Sequence, residues 1–235
     1  MNVVALRENQ HQLPHDEVLP IAPTQKRAVS RRIQKSLRYP SLIGLKWQFL
    51  PKSIQLRFIK LNELNSRQIF LGHILKSRIS FSGKLLERLC WLLSAPLPIS
   101  TEKRGDIIVT VSEARDYEGQ IWTRIYLKQT RQPHIVTSSI RFGGKTGLEE
   151  MFNSWLGLSI KTLANHKSLS FTSDQFFIKC FRKKIYIPKW MTPIGINVTH
   201  RECNARRFRL TIEVVSRPFG ELIYQTSILE EVDRV

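Results

Sequence analysis

The sequence predicts an α+β fold: one large, curved antiparallel β-sheet of about eight or nine strands, with two N-terminal helices that pack on it or close one end. Three observations support this fold class. Apolar residues recur at helical spacing in two segments of the N-terminal half. After Gly105 the period changes to two, as in strands. Turn signals then recur about every 8–13 residues, which favours a meander over βαβ units.

The two helices are predicted from apolar stripes and flanking prolines. Pro51 suits the first position of a helix over residues 51–62, and Pro96 stops a leucine-rich helix over residues 83–94. A strand is expected between them, at residues 68–79. The apolar stripes consist of Ile54, Phe58 and Leu61 in the first helix, and of Leu85, Leu86, Leu89, Leu92 and Leu93 in the second.

The rest of the chain is predicted to be strands and turns. Strands are expected at residues 107–112, 120–128, 134–142, 148–153, 158–164, 168–181, 195–203, 206–216 and 221–231. In the second of these, Trp122, Arg124 and Tyr126 share one face. The strand over 206–216 alternates most cleanly, and we expect a buried face of Phe208, Leu210, Ile212 and Val214 with Arg207 and Arg209 exposed. A twisted sheet of this size tends to curl around a core or a cavity.

The charge of the chain is strongly basic. It has 37 Lys and Arg against 19 Asp and Glu, a formal charge of +18, which attracts anionic partners. Residues 26–60 hold ten basic residues and no acidic one. We hypothesise that this segment binds an anionic membrane surface through Lys26, Arg27, Arg31, Arg32, Lys35, Arg38, Lys46 and Trp47. Two alternatives stay open: a solvated tail, and an apolar stretch over 42–50 that covers the domain core.

The domain organisation follows from these patterns. We expect residues 1–45 to be a disordered or weakly ordered basic extension and residues 46–235 to be a single antiparallel β-rich domain. No secretory pattern and no apolar run of spanning length is visible. The three cysteines include no CxxC pair. The expected location is therefore cytoplasmic, extending to a peripheral position at the inner membrane face.

The sequence lacks the motifs of common catalytic sites. The Gly143-Gly144-Lys145 segment misses the first glycine of a phosphate loop, so we interpret it as a glycine-rich hairpin. The histidines do not have metal-ligand spacing, and no nucleophile motif occurs. We therefore expect a protein that is not an enzyme, with no cofactor, no metal and no catalytic residue.

Several short segments, taken in order, resemble a known bacterial family. They are Leu50-Pro51, Pro96-Leu97-Pro98, Trp122-Thr123-Arg124, Arg141-Phe142-Gly143, Ile187-Pro188-Lys189-Trp190, and Phe208 through Pro218, Gly220 and Tyr224. Over roughly residues 48–235 this order resembles the family filed as domain of unknown function 4166. The resemblance implies a domain that occurs alone or fused behind a saccharopine-dehydrogenase-like domain. It implies no catalytic residues, and the basic N-terminus departs from the family's pattern.

The function that these features favour is a non-catalytic binding domain for an apolar or amphiphilic ligand, with the basic segment on anionic membrane. One alternative is an accessory domain that partners an oxidoreductase, which the resemblance suggests. The other is nucleic-acid binding driven by charge, which we consider less favoured because it needs the basic residues on one ordered surface. An acidic protein would also suit the charge.

Overall fold

The fold is an antiparallel β-barrel. A computed structural model describes residues 38–60, 67–99, 105–127, 132–181 and 183–232. The strands in these ranges are β1 (Arg67–Ile79), β2 (Gly105–Glu113), β3 (Gly119–Leu127), β4 (His134–Phe142), β5 (Leu148–Met151), β6 (Leu156–Asn165), β7 (Ser168–Cys180), β8 (Lys183–Tyr186), β9 (Ile194–Glu202), β10 (Arg207–Ser216) and β11 (Gly220–Glu231). Neighbouring strands in sequence are neighbours in space almost throughout, as the meander prediction required.

Ten of these strands close into the barrel. Around the wall the order is β1 to β7 and then β9, β10 and β11, and β11 pairs with β1, where Phe70 lies opposite Glu231. The extra strand, β8, pairs with the second half of β7, while β9 pairs with the first half. The predicted α+β fold with an open curved sheet of eight or nine strands is therefore wrong. The protein is mostly β, with three short helices in the described ranges.

The error has a physical cause. Strands of an open sheet and of a barrel show the same period of two, so alternation carries no information about closure. Closure depends on the pairing of β1 with β11, the strands farthest apart along the described chain. The strand β8 has the sequence Lys-Lys-Ile-Tyr, which does not alternate, and it was missed.

Residues 38–60 form a plug segment inside one end of the barrel. The segment contains α1 (Arg38–Ile43), a 3-10 helix (Gly44–Phe49) and α2 (Lys52–Lys60). Tyr39, Ile54 and Phe58 are fully buried in the core. Of the two predicted placements for this helix, the one on the face of an open sheet is wrong. The barrel wall is closed around its circumference, but the barrel is open at both ends. The apolar stripe of α2 enters one of these ends and is buried against the interior face of the wall.

Side chains hold the plug segment in place. Arg38 forms an ion pair of 2.6 Å with Glu118 in the β2–β3 turn, and the Ser53 hydroxyl donates to Glu202 at the end of β9. Among the described residues, the main-chain hydrogen bonds of the segment outside its helices stay within it. The plug segment therefore contacts the wall without being part of the sheet.

The third helix, α3 (Phe81–Leu92), crosses the opposite end of the barrel. The Ser80 hydroxyl caps it by accepting a hydrogen bond from the Gly83 N–H at 3.1 Å. A Cβ at Gly83 would lie 2.2 Å from the Leu222 carbonyl oxygen, so glycine is needed for this close approach. At the other end of the helix, Asn153 donates to the Leu93 carbonyl oxygen at 2.9 Å. None of the described helices has the length and hydropathy to cross a membrane.

The wall buries the residues that the alternation predicted. In β10, the residues at the four expected positions are at most 3 % exposed, and Arg207 and Arg209 are exposed. In β3, Trp122, Arg124 and Tyr126 all face the interior. The strand faces were therefore predicted correctly although the closure of the sheet was not.

Candidate functional site

A group of polar side chains lies inside the barrel, within the larger apolar core. One comes from the plug segment and four from the wall strands β1, β3, β9 and β11: Arg57, Gln68, Arg124, His200 and Ser227. Each is more than nine-tenths buried. On the wall, the period of two places these residues on the same faces as core residues, so they project into the interior. We call these five residues the lumen polar cluster.

Aromatic rings connect the two arginines of the cluster. The Arg57 guanidinium lies 3.9 Å from the centre of the Phe208 ring, and His200 stacks on the same ring at 5.5 Å. His200 is also 6.1 Å from the Trp122 ring, and that ring is 5.7 Å from the Arg124 guanidinium. The two cations are therefore joined by one continuous series of ring contacts.

Much of the cluster's hydrogen-bonding capacity is unused. Arg124 Nη1 donates to the Ser138 hydroxyl at 3.3 Å, but its Nε has no partner among the described residues. The same holds for Nε and Nη1 of Arg57. Also without a partner in the described ranges are both amide atoms of Gln68, Nδ1 of His200 and the hydroxyl of Ser227. Each buried polar group left unsatisfied costs about 1–3 kcal/mol, so such a concentration calls for an explanation.

The lumen polar cluster contains two basic side chains and no acidic one. Burial lowers the pKa of Arg57 to about 10, although Glu231 and Glu202 act to raise it, so the guanidinium is charged at neutral pH. Burial, followed by the charges of Arg57 and Arg124, lowers the pKa of His200 to about 3, so this imidazole is neutral. The interior therefore holds two cations beside a neutral ring.

The described residues place no buried carboxylate in this interior. Their one buried acid, Glu149, lies on the face of β5 opposite to the core residue Leu148. Glu149 pairs there with Lys184 at 2.5 Å. In the described residues no fully buried carboxylate accompanies the cluster, and the acids that act on Arg57 are the half-buried Glu202 and Glu231. A guanidinium fork with free N–H groups is suited to a carboxylate or a phosphate.

The basic residues predicted to bind an anionic surface are only partly described. Lys26, Arg27, Arg31, Arg32 and Lys35 lie outside the described ranges. Of the other three, Arg38 is paired with Glu118, Lys46 is exposed, and Trp47 packs against the barrel core. The position of Trp47 agrees with the alternative in which residues 42–50 cover the domain core. The surface-binding hypothesis stays a prediction, as does a domain boundary at residue 45.

The glycine-rich segment forms the predicted hairpin between β4 and β5. Beside it lies a groove of about 270 Å³ that also includes Arg141, Lys179 and Lys184. Two of these cations have partners, because Lys184 binds Glu149 and Arg141 lies 4.3 Å from the Tyr117 ring. The groove is therefore a weaker candidate for an anion site than the lumen polar cluster.

Sequence reasoning missed the cluster for identifiable reasons. Arg124 was placed on the same face as Trp122 and Tyr126, and the burial of that face was the available signal. Arg57 was counted as one basic residue of the 26–60 run, and its direction depends on how α2 sits in the barrel. His200 was considered only as a metal ligand. In the described part of the chain, no group of three His, Cys, Asp or Glu residues is placed to hold a metal.

The comparisons with known proteins agree with the resemblance seen in the sequence. No curated protein matches the chain closely enough to count as a relative. A family match covers residues 50–228, which include α2, α3 and almost all of the barrel wall. The chain therefore belongs to the family described as Domain of unknown function (DUF4166).

Proposed function

We propose that the protein is a binding domain that holds a single-chain amphiphile with an anionic head, a carboxylate or a phosphate, inside the barrel. The observation that supports this most strongly is the pair of buried guanidinium groups, Arg57 and Arg124, each of which has N–H groups without a hydrogen-bond partner in the described residues. In this proposal the head accepts hydrogen bonds from both arginines. Charge-assisted bonds of this kind are worth about 1.5–3 kcal/mol each.

The walls around the cluster suit an apolar tail. Phe70, Phe208, Leu210 and Trp122 belong to the apolar core around the lumen polar cluster, and Phe208 and Trp122 contact the two arginines. A small number of polar groups in an apolar enclosure is typical of small-molecule sites.

In the observed state the plug segment occupies the space that a tail needs. Phe58 and Ile54 are fully buried there. In this proposal the plug segment moves outward to admit the tail while the barrel stays closed, since its described main-chain hydrogen bonds do not join the sheet. Arg57 belongs to the plug segment, so ligand binding and plug position are coupled through this residue.

The test compares three ligands that differ only in the head: dodecanoate and dodecyl phosphate, each below its micelle concentration, and dodecanol below its solubility limit. Calorimetric titration of the full chain is expected to show binding of one or both anions at least about tenfold tighter than the alcohol, which corresponds to about 1.4 kcal/mol. Equal affinity for anion and alcohol, or no binding by any of the three, would contradict the proposal.

A pair of arginine variants separates the interior from the basic surface. Arg124→Met removes an interior cation, whereas Arg209→Met removes an exposed cation on the outer face of β10. Both variants lower the net charge equally, so general attraction to the surface changes equally. Only Arg124→Met should weaken anion binding while leaving dodecanol unaffected. Arg57→Met provides a second interior test if Arg124→Met does not fold.

A further inference from the structure

Large apolar side chains are exposed together at the α3 end of the barrel. On α3, Phe81, Trp91 and Leu92 are 86 %, 73 % and 73 % exposed. The leucine stripe predicted for this helix therefore does not face the core along its whole width. Leu86 and Cys90 pack inward on the cluster around Ile212 and Leu222, while Leu85, Leu89 and Leu92 face solvent.

The outward direction of this face is fixed by contacts at both ends of α3. The Ser80 N–H donates to the Leu222 carbonyl oxygen at 2.9 Å, and the Asn153 side chain holds the Leu93 carbonyl oxygen. Rotating the helix to bury Leu85 would break both contacts and withdraw Leu86 from the core. The exposed face is thus a consequence of how the helix is anchored.

Two further elements at the same end carry exposed apolar residues. The β10–β11 turn presents Phe219, and the segment between β8 and β9 presents Trp190 and Met191. The Arg217 N–H donates to the Pro193 carbonyl oxygen at 3.1 Å, which joins these two elements. We call the exposed apolar residues of α3, Phe219, Trp190 and Met191 the apolar end.

Basic residues accompany the apolar end. Lys84 and Arg88 are exposed on α3 between the leucines, and Arg217 is exposed on the adjacent turn. The nearby acids are Glu87 on α3 and Glu221, and the latter is paired with Arg78 at 3.0 Å. A helix with Leu, Phe and Trp on one face and Lys and Arg beside them is the composition of helices that lie in a membrane interface.

We propose that the apolar end docks on an anionic lipid bilayer. The large apolar side chains enter the boundary between headgroups and acyl chains, and Lys84, Arg88 and Arg217 contact the anionic headgroups. A bilayer fits better than a protein partner because the exposed residues come from three separate elements and include two tryptophans, which favour membrane interfaces. The net charge of +18 adds a general attraction to such a surface.

This surface is distinct from the basic N-terminal segment, and variants can separate the two. The full chain is incubated with phosphatidylcholine vesicles and with vesicles that also contain phosphatidylserine, and bound protein is measured by flotation. The double variant Leu85→Ser, Trp91→Ser is compared with Leu163→Ser, whose leucine is 57 % exposed on β6. All three substitutions are at exposed positions, so the fold should be retained.

We expect the chain to bind the phosphatidylserine vesicles. Binding should fall by about tenfold or more in the double variant, because each large side chain withdrawn from the interface loses its burial. Leu163→Ser should bind as the wild type does. Equal binding by the double variant would show that the basic segment carries the interaction and would overturn the proposal. A double variant that loses self-association instead, measured by sedimentation, would assign the surface to a second copy and would overturn it too.

Discussion

The pH dependence of stability tests the barrel interior through one buried histidine. His200 is 3 % exposed and lies against Phe58, Phe171 and Phe208. Its pKa is lowered to about 3 by burial and then by Arg57 and Arg124. In the unfolded chain the pKa of histidine is about 6.5. The folded state therefore binds fewer protons than the unfolded state between these two values.

The direction and size of the effect follow from linkage. Because the pKa of His200 is lower in the folded state, the contribution of His200 to the free energy of unfolding is fully present above the unfolded pKa of about 6.5. This contribution is lost progressively as the pH falls below that value. At pH of about 5 the loss is about 2 kcal/mol, and over the whole interval down to a pKa of about 3 it reaches about 5 kcal/mol. A loss of 2 kcal/mol is a large fraction of the stability of a typical domain.

The assay is urea unfolding followed by tryptophan fluorescence, at pH values from about 7.5 to about 5, where few carboxylates titrate. His200→Leu should remove most of the pH dependence in this interval. His73→Gln, at an exposed histidine of β1, should keep the wild-type slope. A wild-type stability that is constant over the interval, or a slope that survives in His200→Leu, would refute this view of the interior.

Two further predictions concern the wall. Leu210→Ala should lower the free energy of unfolding by about 2–5 kcal/mol because Leu210 is a core residue, whereas Arg209→Ala on the opposite face should change it by less than about 0.5 kcal/mol; urea unfolding measures both, and similar losses would mean that β10 is not inserted as described. Gly72→Ala should destabilise the closure of the barrel, because its Cβ would lie 1.9 Å from the Ile228 carbonyl oxygen across the β1–β11 pair. Hydrogen exchange should then accelerate in β1 and β11, and unchanged protection there would argue against this closure.

The sequence predicted strand faces well because burial along a strand is a local property. Alternation placed Phe208 and Leu210 in the core and Arg209 outside, and it placed Arg124 beside Trp122. The apolar stripe of α2 also predicted the burial of Ile54 and Phe58, because an amphipathic helix buries its apolar face whichever element it packs against. In each case the residue types and their period predict which face of the strand or helix is buried.

The sequence does not predict which element each buried face packs against. The stripe of α2 can be buried on a sheet or inside a barrel, and only the pairing of β1 with β11 decides between them. The direction of Arg57 follows from that choice, so the lumen polar cluster could not be predicted before the topology was known. The leucines of α3 were predicted to form a buried stripe, but the way the helix is anchored leaves several of them exposed.

The most direct test of the proposed function is the ionisation state of the bound head. Dodecanoate labelled with carbon-13 at the carboxyl is bound to the full chain, and its NMR resonance is followed from pH of about 8 to about 5. An apolar enclosure without cations raises the pKa of a carboxyl group, whereas nearby guanidinium groups lower it. We predict that the bound resonance stays at its ionised position throughout the interval in the wild type and titrates within it in Arg124→Met. A wild-type resonance that titrates in this interval, or one that is unaffected by Arg124→Met, would contradict the assignment of Arg57 and Arg124 as the anion-binding groups.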